Sequence, residues 1–194
     1  PFDVVLPDAI GIPDFERMAG IYEVLELATA VKPWLLRSLL EDSSEGVVYL
    51  DPDIRLYAPI TDVFDAVREH GLVLNPHNTE PMPRDGRRPN EQDILIAGAY
   101  NLGFIGLARS APVDGLVAWW ADRCEFFCVS DITHGMFVDQ RWMDLTPGLV
   151  DRVRVVRHPG YDLAYWNLKH RRLTGTPEAP QVNGERVHFY HWSG

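Results

Sequence analysis

The sequence predicts an α/β fold in which helices flank a mixed β-sheet. Short apolar runs of strand length alternate along the chain with longer amphipathic segments of helical period. Polar clusters rich in Asp, Ser, Gly and Pro separate these segments, as turns do. The composition, with 46% hydrophobic and 24% charged residues, is that of an ordinary globular chain. Because 194 residues can bury one sizeable core, we expect a single domain over residues 1–194.

The individual elements follow from periodicity and from the positions of prolines, which fit the first turn of a helix. We predict helices over 13–20, from Pro33 to about Glu41, after Pro59 to about His70, and over 112–128 and 137–145. We predict strands over 47–50, 71–74, 100–107, 153–157 and 186–192. The unbroken apolar run at 47–50 is typical of a strand buried on both faces. Residues 80–93 are predicted to form a long polar loop, and residues 174–185 a polar hairpin or loop.

The charge of the chain disfavours two kinds of partner. Lys and Arg number 18 against 28 Asp and Glu, which gives a net charge of −10. A nucleic-acid surface needs basic stripes that displace counterions from phosphates, so we expect no nucleic-acid partner. The same charge opposes direct docking to anionic lipid.

The expected location is cytoplasmic. No apolar run approaches the ~18 residues of a membrane span, so we expect no transmembrane segment. Two cysteines, Cys124 and Cys128, lie four residues apart in an apolar segment and favour a reducing compartment. Contact with a membrane would then be peripheral and through a partner.

The most informative motif is Asp51-Pro52-Asp53, which follows the predicted strand 47–50 directly. Ligands of open α/β sheets bind at the carboxyl ends of strands. Hard divalent cations prefer oxygen ligands and often join a carboxylate pair to substrate phosphates. In an extended segment alternate side chains point the same way, so both carboxylates could face one ion. The alternative is a plain turn, because Asp and Pro are also common turn residues.

Three further groups are candidates for chemistry. The final strand carries His188 and His191, and an imidazole suits a divalent ion of the Mn²⁺ type, although a lone histidine is more often structural. Asp139 and Gln140 open a predicted helix, where an acid also interacts favourably with the helix dipole. Gly103 lies inside a predicted strand, which indicates either a bulge or a close approach to the backbone.

Other candidates have a simpler structural explanation. The basic run 169–172 could hold phosphate or could be a solvated helix face, and Lys32 is a single cation in a helical stretch. The tryptophans could stack on sugar rings, but most are expected in the core. The sequence has no P-loop, nucleophile elbow or H-E-x-x-H zinc motif.

Four segments in order, VVYLDPDI, AYNLGFIGL, GMFVDQRWMDL and HFYHWSG, resemble the metal-dependent glycosyltransferases of the GT-A fold. The resemblance is to the glycogenin-like and lipopolysaccharide-galactosyltransferase group and to bacterial relatives, and it extends from about Ala28 to Gly194. It implies a catalytic domain truncated at both ends and lacking its first strand or strands. Tyr161, Trp166 and Asn167 also match the bacterial relatives, without a role that the sequence can assign.

The resemblance implies a ligand set for Mn²⁺ or Mg²⁺. Asp51 and Asp53 match the D-x-D pair that holds the ion against the diphosphate, and Asp51 would also contact the donor. His191, rather than His188, matches the histidine that completes the set.

The resemblance also implies donor-binding and catalytic residues. Lys32, Asn101 and Gly103 match positions that contact the donor. Asp139 and Gln140 match a pair beside the reacting anomeric carbon and would be catalytic.

The implied reaction is transfer of a hexose from a UDP- or GDP-linked sugar to a glycan or lipid-linked acceptor, as in polysaccharide biosynthesis. Retention of configuration is expected, whereas an inverting enzyme would need a base such as Asp93 or Asp139. We expect the acceptor near loop 80–93 and Trp166. A non-catalytic carbohydrate- or nucleotide-binding module of the same fold is the main alternative, and a metal phosphohydrolase is a third.

Overall fold

The computed structural model describes residues 3–193. The helices are α1 (Phe15–Ile21), α2 (Val24–Ala30), α3 (Lys32–Asp42), α4 (Thr61–His70), α5 (Glu91–Ala97), α6 (Ala111–Phe126) and α7 (Thr146–Leu149). The strands are β1 (Val47–Leu50), β2 (Ile54–Leu56), β3 (Leu72–Pro76), β4 (Tyr100–Leu107), β5 (Val153–Val155), β6 (Leu173–Gly175), β7 (Pro180–Val182), β8 (Glu185–Arg186) and β9 (Phe189–His191). Short 3-10 helices cover Pro7–Ala9, Ile132–His134, Gln140–Leu145 and Tyr165–His170.

The main sheet is mixed, which confirms the predicted α/β class. Its four strands lie in the order β1-β4-β3-β5. β4 pairs antiparallel with both β1 and β3, whereas β3 and β5 are parallel. The end of β1 lies beside the first half of β4, with Leu50 opposite Phe104.

Both faces of this sheet pack against an apolar core. Leu72 and Leu74 of β3 point into a cluster formed with α3 and α6, whereas Val73 points into a second cluster formed with α4 and β9. The same alternation holds along β1, where Tyr49 packs against the first cluster and Leu50 against the second. This explains the unbroken apolar run, although β1 lies at the edge of the sheet and its side chains are only half-buried.

A two-stranded ribbon brings the Asp51-Pro52-Asp53 motif next to the segment that contains His191. β2 pairs antiparallel with β9, and Ile54 lies opposite His191. Beyond the ribbon, the Trp192 backbone N–H donates to the Asp53 carbonyl at 3.1 Å. The turn after β1 is therefore held directly against the segment that carries His191.

Two sequence predictions need correction, and one strand was missed. The predicted strand 186–192 is two strands, because β8 pairs with β7 whereas β9 pairs with β2, and the chain turns between them. The predicted helix 137–145 is a 3-10 helix followed by α7, which restarts where Pro147 occupies its first turn. Strand β2 was not predicted.

Helix α5 was also not predicted, and it begins inside the expected loop 80–93. Its start is a capping box: the Asn90 side chain accepts from the backbone N–H groups of Gln92 and Asp93, and the Asp93 carboxylate accepts from Asn90 N. This local pairing satisfies the free N–H groups of the first turn in a stretch with little apolar periodicity.

None of the helices between residues 3 and 193 is both long enough and apolar enough to cross a bilayer.

The close packing of β4 against α4 predicts a specific cost at Gly106. A Cβ at this position would lie 2.6 Å from Val67 Cγ2 and 3.2 Å from Val73 Cβ. We expect Gly106→Ala to lower the free energy of unfolding by about 1–3 kcal/mol, because the core must shift to admit the methyl group. Urea denaturation measures this change.

The matched control is Gly115→Ala in α6, where a Cβ would meet nothing within 4 Å. This exposed helical position should gain about 0.5–1 kcal/mol from the better helix former. Equal effects at the two glycines would contradict the packing described for β4.

Candidate metal centre

A cleft of about 460 Å³ opens where β1 ends and β4 begins. Its lining brings together seven residues singled out from the sequence: Lys32, Asp51, Asn101, Gly103, Asp139, Gln140 and His191. These residues come from α3, the end of β1, the start of β4, the 3-10 segment after residue 138, and β9.

The Asp51-Pro52-Asp53 motif forms a turn. Ile54 N donates to the Asp51 carbonyl at 3.0 Å, which closes the turn, and Asp51 N donates to the Gly103 carbonyl at 2.8 Å. The expectation of an extended segment is therefore wrong, because the chain reverses to start β2. The turn nevertheless directs both carboxylates toward His191.

One ligand atom from each of Asp51, Asp53 and His191 lies within 4.8 Å of the others. His191 Nε2 is 3.2 Å from Asp53 Oδ1 and 3.8 Å from Asp51 Oδ2. Two carboxylates and one imidazole suit a divalent ion of the Mn²⁺ or Mg²⁺ type. This cluster could hold a metal ion, and the residues present fit such an ion.

His188 is not part of this cluster. Its Nδ1 lies 2.8 Å from the Pro59 carbonyl, and its ring stacks on Tyr161 with the centroids 4.3 Å apart. The two histidines of the final segment therefore have different surroundings.

The His191 ring is buried and is packed tightly against β4. A Cβ on Gly103 would overlap His191 Cε1, so only glycine admits the ring at this distance. Burial lowers the pKa of His191, but the nearby carboxylate of Asp162 and the charges of Asp53 and Asp51 outweigh it, so that pKa lies above its ordinary value. The close approach indicated by Gly103 is made by the protein's own imidazole.

The buried amino group of Lys32 contacts three parts of the cleft floor. Its Nζ lies 2.9 Å from Asp139 Oδ2 and 3.7 Å from Asp51 Oδ1, and it donates to the Leu102 carbonyl at 2.8 Å. Burial lowers the pKa of Lys32, but the charges of Asp139 and Asp51 outweigh it and raise that pKa. Tyr49 adds a further contact by donating its hydroxyl to Asp51 Oδ1 at 2.6 Å.

Asp139 and Gln140 are held rigidly in the same floor. Burial raises the pKa of Asp139, and the Lys32 ammonium opposes that rise. The Gln140 amide accepts from Leu102 N at 3.4 Å and donates to the Ala97 carbonyl at 2.8 Å. Val138 precedes them with φ 42°, a strained conformation for a β-branched residue.

The rim of the cleft contains Asp93, which is bonded to Arg88. This bond is the largest cause that lowers the pKa of Asp93. Trp166 is buried and meets His191 edge-on, with ring centroids 5.4 Å apart. Its neighbour Tyr165 is the exposed aromatic residue at this rim.

The basic run 169–172 is engaged within the protein at two positions. Lys169 Nζ lies 3.1 Å from Asp85 Oδ1 and donates to the Arg87 carbonyl at 2.9 Å. Arg171 is buried and donates to the Tyr161 carbonyl at 3.1 Å. These contacts favour the structural explanation over a phosphate site.

Sequence reasoning missed Asp162, which lies behind the His191 ring, and His77, which lines the cleft. Asp162 is wholly buried with Oδ1 3.4 Å from His191 Nδ1, and His77 is buried against Asn101 and Trp166. The one available signal was the YDLAYWNL segment, in which Tyr161, Trp166 and Asn167 match the bacterial relatives but have no assigned role.

Comparison with known proteins gives one weak similarity. The chain is 24% identical over 173 residues to the uncharacterized protein YfnD of Bacillus subtilis (strain 168), which covers 87% of this chain and 53% of that protein. The chain thus spans about half the length of the curated relative it matches. No family model matches the chain, and no solved structure matches it.

The buried ion pair in the cleft floor predicts a stability effect that a second substitution reverses. Lys32→Met leaves the Asp139 carboxylate buried without its partner, and we expect the free energy of unfolding to fall by about 3–5 kcal/mol. The double variant Lys32→Met with Asp139→Asn removes the unpaired charge and should recover most of this loss. Urea denaturation of the four proteins gives the coupling energy, and additive losses would contradict a direct pair.

Proposed function

We propose that the chain carries the catalytic region of a metal-dependent glycosyltransferase with a GT-A-like fold. It transfers a hexose from a nucleoside diphosphate sugar to a glycan or lipid-linked acceptor. The supporting observation is the meeting of Asp51, Asp53 and His191, of which Asp51 and His191 line a cleft that Asp139 and Gln140 also line. These residues come from separate sequence segments whose motifs resemble that family.

The chain's own residues divide into two groups along the cleft. Asp51, Asp53 and His191 would hold Mn²⁺ or Mg²⁺, and the ion would act as a Lewis acid that neutralises the charge developing on a departing diphosphate. Asn101 and Gly103 lie beside this set on β4 and face it, because alternate residues of a strand share a face.

The floor supplies fixed charges beside the donor sugar. Asp139 is held by Lys32, and its carboxylate can stabilise positive charge on the sugar ring as the bond to the diphosphate breaks. Gln140 spans two backbone groups and keeps this segment in place. Because these dipoles are already oriented, they need no rearrangement during the reaction.

The two candidate bases favour a retaining reaction. Asp93 is bonded to Arg88, which makes its carboxylate a weak base, and Asp139 is committed to Lys32. An inverting transfer needs a free carboxylate near the acceptor. The exposed Tyr165 ring and loop 80–93 remain the proposed acceptor side of the cleft.

The proposal predicts metal-dependent nucleotide binding that Asp53 controls. We expect Asp53→Ala to abolish Mn²⁺-dependent binding of UDP or GDP and of their sugars in the intact protein. The side chain of Asp53 is 44% exposed, so the melting temperature should change little. Calorimetric titration with Mn²⁺ and with chelator measures the binding.

The matched control is His188→Ala, which removes a neighbouring histidine outside the cluster and should leave binding unchanged. Unchanged binding in Asp53→Ala would reject the metal assignment. Nucleotide binding without turnover of any sugar would instead favour the non-catalytic module.

A further inference from the structure

We propose that Asp162 and Asn101 are positioning residues that keep the proton of the His191 ring on Nδ1. Nε2 would then be free to offer its lone pair to an ion held with Asp51 and Asp53. This inference rests on the metal site of the proposed function. It also assigns a task to the YDLAYWNL segment, for which the sequence indicated none.

The orientation of the Asn101 amide fixes the position of the ring proton. Gly103 N donates to Asn101 Oδ1 at 3.0 Å, so that atom must be the oxygen and not the amide nitrogen. The same oxygen lies 3.1 Å from His191 Nδ1. An oxygen acceptor facing Nδ1 requires a proton on Nδ1, which leaves Nε2 without one in the neutral ring.

Asp162 places a negative charge on the same side of the ring. Its side chain is wholly buried, and Oδ1 lies 3.4 Å from His191 Nδ1. Within residues 3–193, neither carboxylate oxygen has a hydrogen-bond partner, so Asp162 acts on the ring through its charge, whereas Asn101 makes the hydrogen bond. A buried carboxylate without partners is costly, so its position beside an imidazole N–H indicates a purpose.

The chain around Asp162 is built to hold it there. Its backbone has φ 48°, a left-handed conformation that Asp tolerates. The Asp162 carbonyl accepts from Asn167 Nδ2 at 2.8 Å and from Arg171 Nη1 at 3.2 Å. Trp166 closes the other side of the His191 ring, edge-on.

Two other buried titratable groups, Arg171 and His77, lie near Asp162, and their surroundings agree with a carboxylate directed at His191. Arg171 is the buried cation nearby, and burial lowers its pKa to about 10 although the charge of Asp162 opposes this. His77 is the other buried ring, and burial lowers its pKa. In metal sites, an acceptor or carboxylate beside the non-ligating ring nitrogen of a histidine increases the basicity of the nitrogen that binds the metal.

The first test uses the metal-free intact protein. ¹⁵N-edited NMR of the imidazole, at a pH where the ring is neutral, should show His191 with its proton on Nδ1. A proton on Nε2 in the wild-type protein would overturn the proposal without any variant. Because no metal is present, this outcome is independent of the proposed function.

The second test compares Mn²⁺ affinity, read from the EPR signal of free Mn²⁺. Asp162→Asn keeps the shape and removes the charge, and we expect about 10–100-fold weaker binding together with changed His191 ¹⁵N shifts. The control is Asp62→Asn, which removes a carboxylate bonded to the adjacent Tyr161 and should leave both readouts unchanged.

Unchanged Mn²⁺ affinity and unchanged His191 shifts in Asp162→Asn would overturn the proposal, even if the variant is less stable. Absence of Mn²⁺ binding in the wild-type protein would reject the metal site itself, whereas the NMR result would still decide the position of the ring proton.

Discussion

The cleft depends on the burial of one ammonium group. Lys32 Nζ joins the start of α3 to the β4 backbone, to Asp139 and to the end of β1. A charge removed from water is tolerated only when oppositely charged or polar groups surround it closely. The elements that carry these groups are therefore fixed relative to one another, and the carboxylates of the floor cannot move independently.

Strand β4 sets the distance at which the His191 ring lies from the cleft floor. Its early residues alternate between the cleft and the core, so that Asn101 and Gly103 face His191 whereas Leu102 faces the apolar cluster. The missing side chain of Gly103 is what allows the imidazole ring to lie against the strand. The absence of a side chain at Gly103 thus determines where the ring of His191, distant in sequence, packs.

The sequence predicted those features that local chemistry determines. A proline in the first turn marked α3, an amphipathic pattern rich in aromatic residues marked α6, and an apolar run followed by acids marked β1 and the motif after it. It did not predict the division of 186–192, because that depends on which strands lie alongside, nor Asp162, because burial of a carboxylate is set by tertiary packing. For Gly103 the sequence left a bulge and a close approach open, and the structure shows the close approach, by a group that the sequence could not identify.

The ribbon of β2 and β9 has a thermodynamic consequence. Asp53 precedes one strand of this two-stranded pair and His191 ends the other, so an ion bound to both would act as a cross-link between segments far apart in sequence. Detachment of β9 would release the ion, and loss of the ion would promote fraying of β9. Linkage makes these effects reciprocal, so amide hydrogens in the ribbon should exchange with solvent more slowly as ion occupancy rises.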